Sequence, residues 1–253
     1  MTGTPETERY TPGHDASAID FMAARTAATH ARFFLPHLAS GMTLLDLGCG
    51  PGTITTDLAA AVAPGHVLGL DRQAAQLLSA RALARGKGLT NIEFQEGSCY
   101  DIPLDNRSVD RVFSHALMEH LAHPARALAE IRRVLRPGGR VGLCSPDWGG
   151  FLLSPPSDDA ISAYTRLQQA NGGDPFVGRK LGQYLLDAGF EQCHLNAHYE
   201  RYADPSRIAD YLAVQLDAAG QTAQARRLRD WATRPSAMFA QAWVTATATR
   251  PHH

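Results

Sequence analysis

The chain has 253 residues, 44% of them hydrophobic and 19% charged, and 24 Lys+Arg against 25 Asp+Glu leave a formal charge of −1. That balance excludes the strong positive field that draws nucleic acid or an anionic membrane surface. The length suits one large core with insertions, or a core carrying a cap.

In chain order, Ala18 to Leu38 carries Phe21, Ala24, Ala28 and Ala31 or Phe33 at helical spacing and predicts a leading helix ended by Pro36. The apolar run Thr43 to Leu47 predicts a first strand. A loop of three glycines and a proline follows, Gly48-Cys49-Gly50-Pro51-Gly52, and then a helix that opens at Thr53 and closes before Pro64-Gly65. "HVLGLD" reads as a second strand ending on Asp71. "RQAAQLLSARALARGKG" reads as a helix turning Ala75, Leu78, Ala82 and Leu83 inward. "NIEFQEG" and "VDRVFSHA" are the third and fourth strands, "PARALAEIRRVLRPGG" a helix, and "RVGLCSP" the fifth strand.

Beyond it, "DWGGFLLSPPSDD" reads as a loop and "AISAYTRLQQANGG" as a helix. "VGRKLGQYLLDAGF" reads as a helix with Leu181, Leu185 and Leu186 facing inward. "EQCHLNAHYERY" is a strand, "SRIADYLAVQLDAAG" and "TAQARRLRDWATR" a helix pair, and "SAMFAQAWVTATAT" a last strand. The alternation implies an α/β fold with a mostly parallel sheet, whose ligands bind beyond the C-terminal strand ends where strand order reverses. Cys49, Cys99, Cys144 and Cys193 form no C-x-x-C pair and no zinc-spaced cluster, and no apolar stretch approaches a membrane span. Reduced thiols in a cytoplasmic protein, with no metal, are the expectation, and the polar N-terminus lacks the regions of a secretory signal.

Three kinds of ligand loop compete for the glycines. A phosphate-binding P-loop ends in Gly-Lys-Ser/Thr, whereas Gly52 is followed by Thr53-Ile54-Thr55. A dinucleotide fingerprint requires G-x-G-x-x-G, whereas this loop is G-x-G-x-G; hydride chemistry is the weaker alternative. "LLDLGCGPGT" resembles motif I of the class I S-adenosylmethionine-dependent methyltransferases. The resemblance continues in order through "VLGLD", "FQEGSCYDIPLDNRSVDRVFSHALMEHL" and "LAEIRRVLRPGGRV", covering Thr43 to about Ser145, and it looks closest to the small-molecule branch related to ubiquinone-type enzymes.

That resemblance implies a Rossmann-like, seven-stranded sheet with helices on both faces and an antiparallel last strand. It implies a single domain with an N-terminal cap over 1–40, a cofactor-binding core over 41–148, and a substrate-side half over 149–253. That half would hold a helical insert at about 200–235 and the last strand at about 238–249. The cofactor would be S-adenosyl-L-methionine, with S-adenosyl-L-homocysteine as product. It carries no phosphate, so it asks for close main-chain approach at Gly48, Gly50 and Gly52, with Cys49 and Thr53 beside them.

Asp71 lies 23 residues after Gly48, at the end of the second strand, where its oxygens can accept both ribose hydroxyls. Asp46 is implied to orient the methionine ammonium; capping the loop is the equal alternative. Arg72 and Gln76 are expected beside the adenosine, with Gly97, Ser98 and Cys99 at its amine, and Ser114 and His115 at the amino-acid end. Tyr10, His14 or Arg25 would come over the cofactor, Arg25 forking the methionine carboxylate.

Methyl transfer from a sulfonium needs alignment, exclusion of water and, for an acceptor that must lose a proton, a base. His115, His14 and His120 are the candidates, on the ground that imidazole titrates near neutrality, with Glu119 behind them. Asp147, Trp148 and Phe151 are expected to contact a small apolar, aromatic or polyketide-like acceptor; packing of the cap or a homodimer contact is the alternative. Two further readings stay open: the same cofactor site promoting a cyclisation or decarboxylation, or a non-enzymatic binding module. Nucleic acid and membrane are not expected partners. No Asn/Asp-Pro-Pro-Tyr/Phe motif is present.

Overall fold

Short runs of Leu, Val and Ile bounded by glycine or proline build the central strands, whose two faces are both covered. The computed structural model describes residues 8–13 and 16–252. The strands are β1 (Leu44–Leu47), β2 (Val67–Asp71), β3 (Ile92–Glu96), β4 (Val109–His115), β5 (Leu135–Ser154), β6 (Glu191–Arg201) and β7 (Met238–Thr249). They form one sheet in the order β3-β2-β1-β4-β5-β7-β6. The first five strands run parallel, and β7 inserts antiparallel between β5 and β6. Strand order reverses at β1, which pairs with β2 on one side and β4 on the other, so the crevice for a ligand opens there.

The period-two alternation of strand side chains divides the core. Leu45, Leu47, Leu68, Leu70, Val112 and Val141 pack against α5 (Pro124–Val134) and α7 (Leu181–Asp187). Leu44, Val67 and Phe113 pack against α2 (Ala27–His30), Phe34 and α3 (Thr53–Val62). A separate apolar cluster joins α6 (Asp158–Ala170), α8 (Pro205–Ala218) and α9 (Thr222–Ala232) to Trp148 and Phe239, forming a cap on the long ends of β5 and β7. No helix among the described residues is long and apolar enough to cross a membrane.

Four expectations about elements need correction. The leading helix is broken into α1 (Ala16–Ala23), α2 and a 3-10 turn at Leu35–His37, because Thr26 is extended and the Ala27 amide donates to Asp57 Oδ2 at 3.0 Å instead of to the preceding turn. The segment after Ser145 is no loop: β5 continues to Ser154 because β7 pairs with it that far, and a register shift between Asp147 and Phe151 absorbs the two glycines.

Helix α4 (Ala74–Gly86) buries Gln76, Leu77, Ala80 and Ala84, while Leu78 is 66% exposed. Ala80 must face inward because the glycine loop abuts it; a Cβ added at Gly52 would lie 2.7 Å from Ala80 Cβ. In α7, Leu181 and Leu185 are buried but Leu186 points outward, 54% exposed.

Candidate functional site

The glycine loop is shaped by its backbone. Gly48, Gly50 and Gly52 all have positive φ, a region closed to most side chains. A Cβ on Gly50 would meet nothing within 4 Å, so bare peptide faces the crevice there, whereas Gly52 is needed by the close packing just described. The loop amides are already taken. Gly48 N and Cys49 N donate to Leu70 O at 2.8 and 3.1 Å, Gly52 N to Cys49 O at 3.1 Å, and Gly50 N to Asp71 Oδ2 at 2.9 Å. With these amides committed, the loop itself offers a ligand close contact with bare peptide rather than a nest of free donors.

A large cleft opens over this loop, and it is lined by Asp46, Gly48, Cys49, Gly50, Thr53, Asp71, Arg72 and Gln76 from the expected set. Gly97, Ser98, Cys99, His115, His120, Tyr10 and Arg25 complete the predicted part of the wall. Asp71 accepts Gly50 N through one oxygen and Gln73 N, at 2.9 Å, through the other, leaving one lone pair on each oxygen toward the cleft. Asp46 is 3% exposed and accepts the Thr55 hydroxyl at 2.6 Å. Burial raises its carboxyl to about 7, against the pull of that hydrogen bond and with the help of Asp71. Gln76 is buried, and its Oε1 has no hydrogen-bond partner among the described residues.

The N-terminal stretch crosses this cleft as a strap. Glu8 accepts Arg72 Nη1 at 3.1 Å, the Tyr100 hydroxyl at 2.5 Å and Ala122 N at 3.0 Å, and Arg9 N donates to Asn171 O at 3.0 Å. Tyr10 sets its ring edge-on to His120, centroids 4.6 Å apart. Arg25 lies over the faces of Phe21 and Trp243, 5.8 and 5.7 Å from their centroids.

A second, smaller pocket adjoins the cleft and shares Tyr10, Arg25, Ala116 and His120 with it. Its other walls are aromatic, from Phe21, Trp148, Tyr164, Tyr202, Tyr211 and Trp243, with Glu119 and Gln241 as polar members. Glu119 and His120 sit in a 3-10 turn, Met118–His120, just after β4. Glu119 is 2% exposed, and burial raises its carboxyl to about 7 against the opposing pull of its own backbone amide, Ser145 and Arg25.

The histidines move the other way. Burial, then the charge of Arg25, lowers His115 well below its ordinary value, and the same two causes lower His120 to about 3. Both imidazoles are neutral near pH 7, and His115, stacked on Trp243 at 4.8 Å, has no hydrogen-bond partner among the described residues. The expectation that these rings titrate near neutrality therefore fails, because burial beside a guanidinium penalises imidazolium.

Several expected residues are placed elsewhere. Gly52 lies under the loop, and Ser114 is buried with its hydroxyl donating to Leu47 O at 2.8 Å, tying β4 to β1 away from the cleft wall. Asp147 is gripped by Arg179, whose Nε and Nη2 lie 2.7 and 2.6 Å from its two oxygens. Burial alone would raise this carboxyl, but those bonds hold it below its ordinary range. Phe151 packs near Phe239 in the cap cluster, so of the three residues expected at the acceptor only Trp148 lines the pocket. His14 lies outside the described residues. Sequence reasoning missed Glu8, Tyr164, Tyr202, Tyr211, Gln241 and Trp243; alternation in β7 could have aligned Gln241 with Trp243 on one face, but nothing local brought the helix tyrosines to them.

A family model described as a methyltransferase domain matches residues 38–173. A methyltransferase of Schizosaccharomyces pombe of undetermined role is 31% identical over 77% of this chain and 74% of its own. A transposon-encoded protein of Streptomyces fradiae is 41% identical over 70% of this chain, which spans only 52% of that relative's length. Shorter matches reach enzymes named for demethylmenaquinone, arsenite and trans-aconitate methylation. Among solved structures, a provisionally assigned methyltransferase of Bacillus halodurans superposes with a TM-score of 0.65 at 20% identity, covering 94% of this chain and 100% of that one.

Proposed function

Because this chain belongs to the class I S-adenosylmethionine-dependent methyltransferase family, we propose that it transfers a methyl group to a small, apolar or aromatic acceptor held in the second pocket. The observation that carries the reading is the junction of a cleft floored by bare glycine peptide with an aromatic-walled pocket at Tyr10, Arg25, Ala116 and His120. The small-molecule acceptors named for several relatives agree with a small pocket of this kind beside the cleft.

The cleft residues fit the cofactor. Gly50 offers uncovered backbone, and Gln76 offers a buried acceptor oxygen without a partner. Asp71 would take the ribose hydroxyls on its two free lone pairs, and Arg72, Gln76, Gly97, Ser98 and Cys99 would surround the adenosine. Asp46 would receive the methionine ammonium, whose positive charge favours the ionised carboxylate that burial disfavours. Arg25 and Tyr10 would close over the amino-acid end, with Arg25 as the partner of the carboxylate. When bound, the sulfonium supplies an activated methyl group and S-adenosylhomocysteine is the by-product. The protein's part is to align an acceptor atom with that methyl at the junction and to exclude water with the strap and cap, an orientation effect worth several kcal/mol. In this reading 1–40 and the insert at 200–235 serve as the cap over the 41–148 core.

Calorimetry with S-adenosylmethionine, followed by incubation of methyl-labelled cofactor with a metabolite extract, tests the proposal. The expected result is tight binding and label in a small-molecule product. Binding without transfer to any acceptor would replace methylation with a cyclisation, decarboxylation or binding role, and no binding would remove the cofactor assignment.

A further inference from the structure

We infer that Glu119 receives the acceptor's proton, and that the acceptor is a hydroxyarene or enol whose oxygen takes the methyl group. This rests on the methyl-transfer reading and adds the acceptor class and the proton's destination. Glu119 is almost wholly buried on the pocket wall; its Oε2 and the neighbouring Ser145 hydroxyl both lack a partner at hydrogen-bond geometry among the described residues, and Oε1 is 3.7 Å from His120 Nε2. A buried carboxylate oxygen without a donor is costly, so an orphan of this kind at a pocket wall points to a donor carried by the ligand.

Two further orphans line the same pocket, Gln241 Nε2 and Trp243 Nε1, on residues 2% and 3% exposed. Both are N–H donors. One carboxylate acceptor opposite two neutral donors matches an acceptor with one O–H and a neighbouring carbonyl or carboxylate oxygen. The aromatic walls match its flat unsaturated frame. An alkylamine, which arrives as an ammonium at neutral pH, suits the pocket poorly, since Arg25 already occupies the faces of Phe21 and Trp243 and would repel it.

The surroundings select Glu119 among the titratable groups. Arg25 faces it from the N-terminal segment, His120 from its own turn, Tyr10 from the strap, Tyr164 from α6, and Cys144 and Ser145 from β5. Tyr10, Tyr164 and Cys144 are held protonated by burial, and His120 is held neutral and weakly basic. Glu119 alone in this group titrates near 7. In the step itself a lone pair of the acceptor oxygen forms the O–C bond as the C–S bond breaks. That bond's electrons stay on sulfur, and the O–H proton passes to the Glu119 carboxylate, which then releases it to water.

The test compares the wild-type protein with Glu119→Gln and Glu119→Asp, using S-adenosylmethionine with salicylaldehyde, salicylate and naphthol, and with aniline and thiophenol as contrasts. The expected result is methylation of a hydroxyarene by the wild type, with kcat rising as pH increases through about 7. Glu119→Gln should lower kcat by roughly a hundredfold or more and abolish that pH dependence while cofactor affinity is retained; Glu119→Asp should restore part of both. An unchanged rate and pH profile in Glu119→Gln would overturn the inference. So would methylation of only aniline or thiophenol, or failure of every hydroxyarene to bind or react with cofactor-loaded protein. Failure of the wild type to bind cofactor would instead strike the methyl-transfer reading, and this inference with it.

Discussion

Two carboxylic acids, Asp46 and Glu119, are each raised to about 7 by burial, one under the glycine loop and one on the pocket wall. A carboxyl whose folded value exceeds its unfolded one stabilises the protein while protonated, and that contribution is lost as pH rises from the unfolded value through the folded one. For Glu119 the window runs from 4.5 to about 7. Above it, the cost is roughly 3 kcal/mol at 1.36 kcal/mol per unit. Glu119→Gln, which removes the charge at nearly constant shape, is therefore expected to raise Tm by several degrees at pH 8 and to have little effect near pH 5; paired thermal melts at the two pH values check this. At Asp71 the expectation is opposite in kind. Asp71→Asn leaves only one acceptor oxygen for Gly50 N, Gln73 N and a ribose, and should weaken S-adenosylmethionine binding by about 1.5–3 kcal/mol in calorimetry.

At the scale of elements, the loop, α4 and the strap explain why the cleft is preformed. Ala80 of α4 fits against Gly52 because neither carries bulk, and this contact sets the rotation of the helix that brings Gln76 to the cleft. The strap is tied by Glu8, a single carboxylate that joins Arg72, Tyr100 and the Ala122 amide across one end of the cleft. Glu8→Gln keeps the shape but loses charge-assisted bonds, each about twice as strong as a neutral one. It should speed cofactor dissociation by about tenfold, measurable by stopped-flow, with an unaltered far-UV spectrum. The extended β5 matters equally. Its register shift against β7 sets Trp148 beside the cap, while Trp243 stands in the ladder opposite Pro146 and His198, so much of the second pocket is built on strands rather than on loops.

Taken whole, the molecule is a covered sheet with a cap seated over one end, and the cleft and the second pocket lie where the two meet. A ligand that binds only the folded state stabilises it by about 2.7 kcal/mol at a hundredfold excess over Kd. For a chain of 253 residues this amounts to an upward shift in Tm of about 5–10 °C with S-adenosylhomocysteine, read by calorimetric scan. With a net charge of −1 and a cleft whose contacts are short-ranged, salt should change that shift little, in contrast to a protein that captures its ligand by long-range attraction.

The wall of the cleft over the glycine loop was largely legible, since local rules act there. Glycine is the residue that adopts the positive φ at 48, 50 and 52 most readily, and an acid at the end of the second strand must emerge beside that loop because β2 pairs with β1. Family and fold followed from the ordered motifs for the same reason. The second pocket was legible only in part, at residues such as Trp148, because its walls come from the strap, α1, the turn after β4, β5, α6, α8 and β7, and only long-range packing brings them together. The titration of the histidines and of Glu119 was decided there as well. Residue type sets an ordinary value, but burial and the nearness of Arg25, which tertiary structure alone supplies, reverse which of these groups can take a proton near neutral pH.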